Sequence, residues 1–382
     1  MHCQSEATTI AYLSSFLVAS DRELLLCIHN EQEKCEYDIR PSGIYKTGAF
    51  SMGAGMVKKI AVTMGDPAGV GPEVILKAVS RSEEIQDVCR PIIIGDRIVM
   101  EEAVRLLDLS VKINLIQTPG EAGLVPGAID MIDIAELQEF KKKMPSAEGG
   151  RASANYIRKA VELALNKQVD AVVTAPISKE ALKMAGMKWP GHTEMLAELT
   201  GTKDYAMMLV GGPLRVILVT IHTAIRNVPA MIKRDAVLKT IRLARKACDM
   251  LGVEEPRIAV AGLNPHAGEA GIFGDEEIRE IIPAIEDAGR EGMFASGPFP
   301  PDTIFHKAYK GEVDIVVCMY HDQGLIPLKM IAFDKGVNVT VGLPIIRTSP
   351  DHGTAYDIAW SGKADPSSMI EALKLASEMG LS

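Results

Sequence analysis

Short apolar runs alternate with helical patterns through most of this sequence, and this alternation constrains the fold more than any other feature. Segments with helical periodicity, such as AVLKTIRLARKACDML and DEEIREIIPAIEDAGR, separate most of the runs. Buried strands that alternate with helices build α/β sheets. Because Gly211, Gly212 and Pro213 join two runs as a hairpin would, we expect a mixed sheet. The predicted strands are KKIAVTM, PIIIGD, DAVVTAP, YAMMLV, RVILVT, RIAVAG, DIVVCMY and VNVTVG.

Three histidines directly follow three of these predicted strands. They are His222 in TIHTAIRN, His266 in GLNPHAGE and His321 in MYHDQG. Open α/β sheets bind ligands beyond the carboxyl ends of their strands. Neutral imidazole is the commonest protein ligand for metals, and three imidazoles leave coordination positions free for a substrate. Because their separations match no local metal motif, the spacing alone leaves open the alternative of three ordinary loop histidines.

The segment GDPAGVGPE, residues 65–73, connects a predicted strand to a predicted helix. Its glycines allow a tight turn, and Pro72 and Glu73 suit the first turn of a helix. The glycine spacing differs from the G-x-G-x-x-G fingerprint, so the segment does not indicate a Rossmann nucleotide site. A ligand loop and a purely structural turn both remain open here.

Two further segments carry groups that bind anions. GHTE places His192 and Thr193 before a helical pattern, where exposed backbone N–H groups favour anions. Lys329, Asn338 and Arg347 supply two cations and an amide, and arginine binds oxyanions with two parallel hydrogen bonds. The alternatives are a helix cap at GHTE and solvated surface cations.

Composition excludes several classes of function. The 382 residues carry a net charge of −9 without a Lys/Arg tract, which argues against nucleic acid or an anionic membrane as a partner. No apolar run reaches the roughly 18 residues that span a bilayer. The six cysteines form no CxxC pair, which favours a reducing cytoplasm over a disulfide framework.

Seven motifs occur in the order and approximate spacing of one enzyme family. They are MGDPAGVGPE, PGHTE, LNPHAGE, PPDT, MYHDQG, GLPIIRTS and DHGTA. On these motifs the chain resembles the 4-hydroxythreonine-4-phosphate dehydrogenase family, including its D-threonate and D-erythronate 4-phosphate dehydrogenases. The resemblance runs from about Lys58 to the C-terminus and leaves residues 1–55 as an extension of uncertain status.

The resemblance implies a fold. GDPAGVGPE and DHGTAYDIA also resemble the glycine loop and nucleotide loop of isocitrate and isopropylmalate dehydrogenases. We therefore expect an α/β fold like theirs, with two α/β domains whose mixed sheets flank an active-site cleft. Residues 56–185 and 335–382 would form the first domain with its nucleotide loop. Residues 186–334 would form the second, with the metal histidines and the dimer interface.

The resemblance also implies roles for individual residues. One divalent ion (zinc, magnesium, cobalt or manganese) would be bound by His222, His266 and His321, in a site completed across a homodimer interface. The substrate would be bound by His192, Thr193, Lys329, Asn338 and Arg347, with Lys329 also catalytic. NAD would be bound by His352, Gly353, Thr354 and Asp357.

The implied reaction is NAD-dependent, metal-assisted oxidation and decarboxylation of a 4-phosphorylated 3-hydroxy acid. The segments HTAIRN, TAYDIAWSGKA and KDYAMMLV favour D-threonate or D-erythronate 4-phosphate, with dihydroxyacetone phosphate as product. One alternative is 4-hydroxythreonine-4-phosphate, giving 3-amino-2-oxopropyl phosphate for pyridoxal phosphate biosynthesis. Another is a dihydrodiol dicarboxylate dehydrogenase. A phosphate acyltransferase, from a different class, would need neither NAD nor a three-histidine ion.

Overall fold

A computed structural model of the chain describes residues 57–80, 84–85, 87–123 and 128–381. The predicted extension over residues 1–55 lies outside these described residues. The strands are β1 (Lys58–Thr63), β2 (Cys89–Gly95), β3 (Lys112–Leu115), β4 (Ala128–Asp133), β5 (Ala171–Thr174), β6 (Ala206–Gly211), β7 (Leu214–Leu218), β8 (Ile258–Ala261), β9 (Ala295–Phe299), β10 (Ile315–Cys318), β11 (Val337–Val341) and β12 (Ile346–Pro350).

Helices connect most of these strands. They are α1 (Gly71–Ser80), α2 (Arg97–Leu106), α3 (Ala147–Leu165), α4 (Lys179–Met184), α5 (His192–Leu199), α6 (Val228–Met231), α7 (Arg234–Met250), α8 (Ile282–Arg290), α9 (Pro301–Tyr309), α10 (His321–Ala332) and α11 (Ser367–Glu378). Short 3₁₀ turns lie at Pro119–Glu121 and Ile225–Asn227, a turn with positive φ angles lies at Pro265–Gly271, and a π turn lies at Glu277–Ile281. No helix of the described part of the chain is long and apolar enough to cross a membrane.

All twelve strands belong to one sheet, in the order β3-β4-β2-β1-β5-β12-β11-β6-β7-β10-β8-β9. Neighbouring strands are parallel except at the pairs β12–β11, β11–β6 and β6–β7. The predicted α/β class and mixed sheet are confirmed, as is the hairpin, in which Gly211 pairs with Leu214. Strands from the two predicted domains occupy opposite ends of this order, and the division into two domains stays a prediction.

The middle strands of each parallel group form the core. Strands β5, β8 and β10 are buried along their whole length, because helices cover both faces of a parallel sheet. Such strands consist of continuous apolar residues, which is why AVVT, IAVA and IVVC were recognisable in the sequence. Cys89, Cys248 and Cys318 are buried in this core as free thiols.

The three predicted metal histidines follow three adjacent strands. β10 pairs in parallel with β7 on one side and with β8 on the other. His222 follows β7, His321 begins α10 directly after β10, and His266 lies in the turn after β8. The topology therefore brings the ends of these strands to one edge of the sheet, although they are far apart in the sequence.

Candidate active site

A cavity of about 670 Å³ contains nine of the twelve residues predicted for the site. Strands β11 and β12, helices α5 and α10 and the loops after β5, β7 and β12 contribute its walls. The nine are His192, Thr193, His222, His321, Lys329, Asn338, Arg347, His352 and Gly353. The other three, His266, Thr354 and Asp357, are not among the described residues that line it.

Arg347 is a buried cation of the cavity. It lies on β12, and its guanidinium donates hydrogen bonds to Thr174 Oγ1 (2.6 Å) and Thr340 Oγ1 (3.1 Å). No carboxylate among the described residues forms an ion pair with it, and burial lowers the pKa of Arg347 to about 9. A desolvated guanidinium without a counter-ion costs free energy and attracts an anion into the cavity.

Three buried polar atoms of cavity residues have no hydrogen-bond partner among the described residues. They are His192 Nε2, Asn338 Oδ1 and Arg347 Nε. Burial, and secondly the charge of Arg347, hold the pKa of His192 well below 6.5, so its imidazole is neutral. Leaving buried donors and acceptors unpaired costs free energy that a ligand with matching groups recovers. The three atoms therefore indicate a polar, negatively charged ligand.

The alternative prediction, that a side chain of GHTE caps the following helix, is wrong. Helix α5 begins at His192, and its N-cap position is Gly191, which has no side chain to cap the helix. His192 and Thr193 lie in the first turn instead, and both line the cavity. This placement favours the ligand-binding interpretation of the segment.

Lys329 and Asp351 form an ion pair in the cavity. Lys329 Nζ lies 3.2 Å from Asp351 Oδ2, which joins the last turn of α10 to the end of β12. The lysine side chain is 40% exposed, so its ammonium reaches both solvent and the cavity. A partly exposed ammonium and a buried guanidinium thus occupy different parts of one cavity.

His222 and His321 lie next to each other in the cavity. Their ring centroids are 5.8 Å apart, and both rings line the cavity. Burial first, and then the charge of Lys179, lower the pKa of His222, which favours the neutral form that ligates metals. His321 Nδ1 lies 2.7 Å from Asp322 Oδ1, a contact that orients the ring.

His266 is not part of this pair. It lies in a turn where residues 266–270 have positive φ, and its ring faces Phe273 at 6.1 Å between centroids. Among the described residues, no group of three or more His, Cys, Asp and Glu side chains is arranged to hold a metal ion. The cavity thus supplies two imidazoles of the predicted three, and the ligand role of His266 stays a prediction.

Packing explains the glycines of residues 65–73. A Cβ on Gly65, whose φ is +74°, would lie 2.4 Å from Pro176 O, and one on Gly71 would lie 2.3 Å from Met64 O. A Cβ on Gly69 would lie 3.0 Å from Thr354. Contact with neighbouring protein atoms therefore accounts for these glycines. The loop supports the segment after β12 and favours the structural alternative.

Three charged residues of the cavity were not predicted from the sequence: Lys179, Glu194 and Asp351. Each is a single charged residue beside a turn or a helix start, a position where solvated side chains are common. Glu194 is the last residue of PGHTE and Asp351 is the first residue of DHGTA, so both belong to motifs recognised in the sequence. Only the folded cavity distinguishes them from surface residues.

Comparison with known proteins identifies close relatives. The family model "Pyridoxal phosphate biosynthetic protein PdxA" matches residues 87–376. A protein of Desulfosudis oleivorans named 4-hydroxythreonine-4-phosphate dehydrogenase is 52% identical over 320 residues, which cover 83% of this chain and 94% of that protein. A protein of Pectobacterium atrosepticum named D-threonate 4-phosphate dehydrogenase is 46% identical over 330 residues, which cover 85% of this chain and 100% of that protein.

A solved structure of a protein with one of these names is also similar to this chain. The crystal structure of 4-hydroxythreonine-4-phosphate dehydrogenase from Klebsiella pneumoniae superposes with a TM-score of 0.78 at 44% identity. The match covers 85% of this chain and 98% of that one. The names of these relatives specify dehydrogenases of 4-phosphorylated substrates and differ in the substrate itself.

Proposed function

Because the chain belongs to the PdxA family of dehydrogenases, we propose that it oxidises a 4-phosphorylated 3-hydroxy acid with NAD and a divalent metal ion and releases CO₂. The favoured substrates are D-threonate and D-erythronate 4-phosphate, and the product is then dihydroxyacetone phosphate. The observation that carries the proposal is the buried Arg347, which has no carboxylate partner among the described residues and lies in one cavity with the unpaired atoms of His192 and Asn338.

The anion site fits a substrate that carries a phosphate and a carboxylate. Two hydrogen bonds to threonine hydroxyls fix the guanidinium of Arg347 and leave Nε free for an oxyanion. Arginine binds phosphate or carboxylate more specifically than lysine, because its planar donors match two oxygens. The neutral imidazole of His192 accepts or donates a hydrogen bond and adds no second positive charge that would repel Arg347. These residues would hold the acid in one orientation.

The residues present fit a metal ion in part. His222 and His321 would hold it, and His266 would come from the partner subunit of a homodimer. Such an ion, when bound, supplies Lewis acidity that lowers the pKa of an alcohol and stabilises developing negative charge. NAD, when bound, would supply the hydride acceptor for the oxidation at C3. His352, Gly353, Thr354 and Asp357 would contact the dinucleotide.

Lys329 would complete the reaction. After oxidation at C3, loss of the C1 carboxylate as CO₂ leaves an electron pair that needs a proton at C2. The ammonium of Lys329 is half-exposed and lies in the cavity, so it can give that proton and recover one from water. Asp351 would hold the ammonium while the cavity is empty.

An exposed apolar face on α10 supports the homodimer. Met330 is 83% exposed, Ile326 is exposed on the same helix, and Phe333, directly after the helix, is 74% exposed. The helix also carries His321 and Lys329, so a partner subunit packed there would enclose the site. Neighbouring exposed apolar side chains of this kind mark protein interfaces.

The second candidate is 4-hydroxythreonine-4-phosphate, which has an amine at C2 where the sugar acids have a hydroxyl. The 52% identical relative carries that name and favours it. The segments HTAIRN and KDYAMMLV favour the sugar acids. The two candidates would use the same anion site. They differ in the group at C2, which would lie beside His222 and His321.

One experiment tests the proposal and separates the candidates. Purified, metal-supplemented protein is offered D-threonate 4-phosphate, D-erythronate 4-phosphate and 4-hydroxythreonine-4-phosphate side by side, and NAD reduction is recorded. Higher kcat/KM with the sugar acids supports the proposal, whereas preference for the amino acid supports the second candidate. No reduction with any of the three overturns both and favours a dihydrodiol dicarboxylate as substrate.

A further inference from the structure

Tyr356 belongs to the segment after β12, and its side chain contacts the glycine loop of residues 65–73. Its phenol donates a hydrogen bond to Asp66 Oδ2 at 2.8 Å. The hydroxyls of Ser178 and Thr354 interact with the same phenol. Asp66 is almost fully buried, and its other carboxylate oxygen accepts the backbone N–H of Ala68 at 2.8 Å. Asp66 is therefore a fixed acceptor, and the phenol ties the two segments together.

The backbone beside Tyr356 is strained and held from both sides. Ala355 has a φ of 42°, a left-handed conformation that residues other than glycine rarely adopt. Such a conformation persists only where the surroundings determine it. On one side Thr354 O accepts the N–H of Val70 at 3.0 Å, and on the other side Tyr356 is bound to Asp66. These two anchors flank the strained residue.

Three of the four residues predicted to bind NAD lie next to these anchors and are exposed. His352, Gly353 and Asp357 are exposed, whereas Thr354 and Tyr356 are partly buried against the glycine loop. We infer that Tyr356 is a positioning residue for the dinucleotide, holding the segment from His352 to Asp357 in its binding conformation before the cofactor arrives. This inference rests on the proposed use of NAD. A preformed loop binds more tightly because less conformational entropy is lost on binding.

The variant Tyr356→Phe tests the inference, because it removes one hydroxyl and keeps the ring. Tyr309→Phe, at an exposed position in the last turn of α9, is the matched control. Three quantities are measured: the NAD dissociation constant by calorimetry, the KM for the preferred phosphorylated acid, and hydrogen exchange of the backbone amides. For Tyr356→Phe we expect NAD binding to weaken about three- to tenfold, the equivalent of one hydrogen bond.

We expect the KM for the acid to change less than about twofold, and faster exchange only in residues 65–73 and 352–362, since one local bond is lost. Unchanged NAD affinity in Tyr356→Phe would overturn the inference and leave the proposed function standing. A general rise in exchange across the sheet, with both substrates bound more weakly, would show a purely structural role and also overturn it. Wild-type protein that binds no NAD would overturn the proposed function, and the inference with it.

Discussion

The imidazole of His192 lies in the same cavity as the buried guanidinium of Arg347, and it is neutral. Burial is the larger cause of the lowered pKa of His192, and the charge of Arg347 lowers it further. The two residues come from β12 and α5, which are distant in the sequence and line one cavity. The site therefore presents one fixed positive charge beside a neutral donor or acceptor, which suits an oxyanion better than two repelling cations would.

The neutral His192 makes stability depend on pH. Its folded-state pKa is depressed, so between that pKa and about 6.5 the unfolded chain binds a proton that the folded chain does not. The free energy of unfolding therefore decreases as the pH falls below about 6.5, by at most about 1.4 kcal/mol per pH unit from this group. Urea unfolding between pH 5 and 7.5 measures the slope. We expect His192→Asn to reduce the dependence of the unfolding free energy on pH. An unaltered slope would contradict a depressed pKa of His192.

Replacing Arg347 by Met should separate stability from binding. The variant removes a buried charge without a carboxylate partner, and this gain offsets the loss of bonds to Thr174 and Thr340. We expect a melting temperature within a few degrees of wild type or above it, and a loss of kcat/KM of about 100-fold or more, mainly through KM. Inorganic phosphate should raise the melting temperature of wild type only. Equal stabilisation of both proteins would place the anion site elsewhere.

Lys329 should affect turnover more than binding. If it donates the proton at C2, Lys329→Met lowers kcat by about 10²- to 10⁴-fold with a smaller change in KM. Lys335→Met, in the exposed turn after α10, is the control for loss of one nearby positive charge. Steady-state NAD reduction measures both constants. A rise in KM at constant kcat would instead make Lys329 a substrate ligand only.

Mixing two inactive variants tests whether the metal site crosses the dimer interface. If His266 joins His222 and His321 of the partner subunit, a dimer of His266→Ala with His222→Ala contains one complete site and one lacking two ligands. Random reassociation of equal amounts should then recover about a quarter of wild-type activity and of bound metal, since half of the dimers are mixed. Metal content is measured by elemental analysis. No recovery of either quantity would place all three ligands in one chain.

The sequence by itself determined the local structure. Fully apolar runs predicted the core strands, two glycines and a proline predicted the β6–β7 hairpin, and Pro72 and Glu73 predicted the start of α1. These features depend on neighbours in the chain, through backbone sterics and burial of apolar side chains. The sequence also singled out nine residues that the fold brings to one cavity, because their motifs resemble those of a known family.

Tertiary structure alone decided which of these residues meet and what their charges do. The strand order β7-β10-β8 makes neighbours of His222 and His321, and no local pattern encodes that order. The neutral state of His192, the unpaired Arg347 and the contacts of Lys179, Glu194 and Asp351 arise from desolvation and from charges on distant segments. Electrostatic energy depends on burial and distance in space, and a linear sequence specifies neither until the chain has folded.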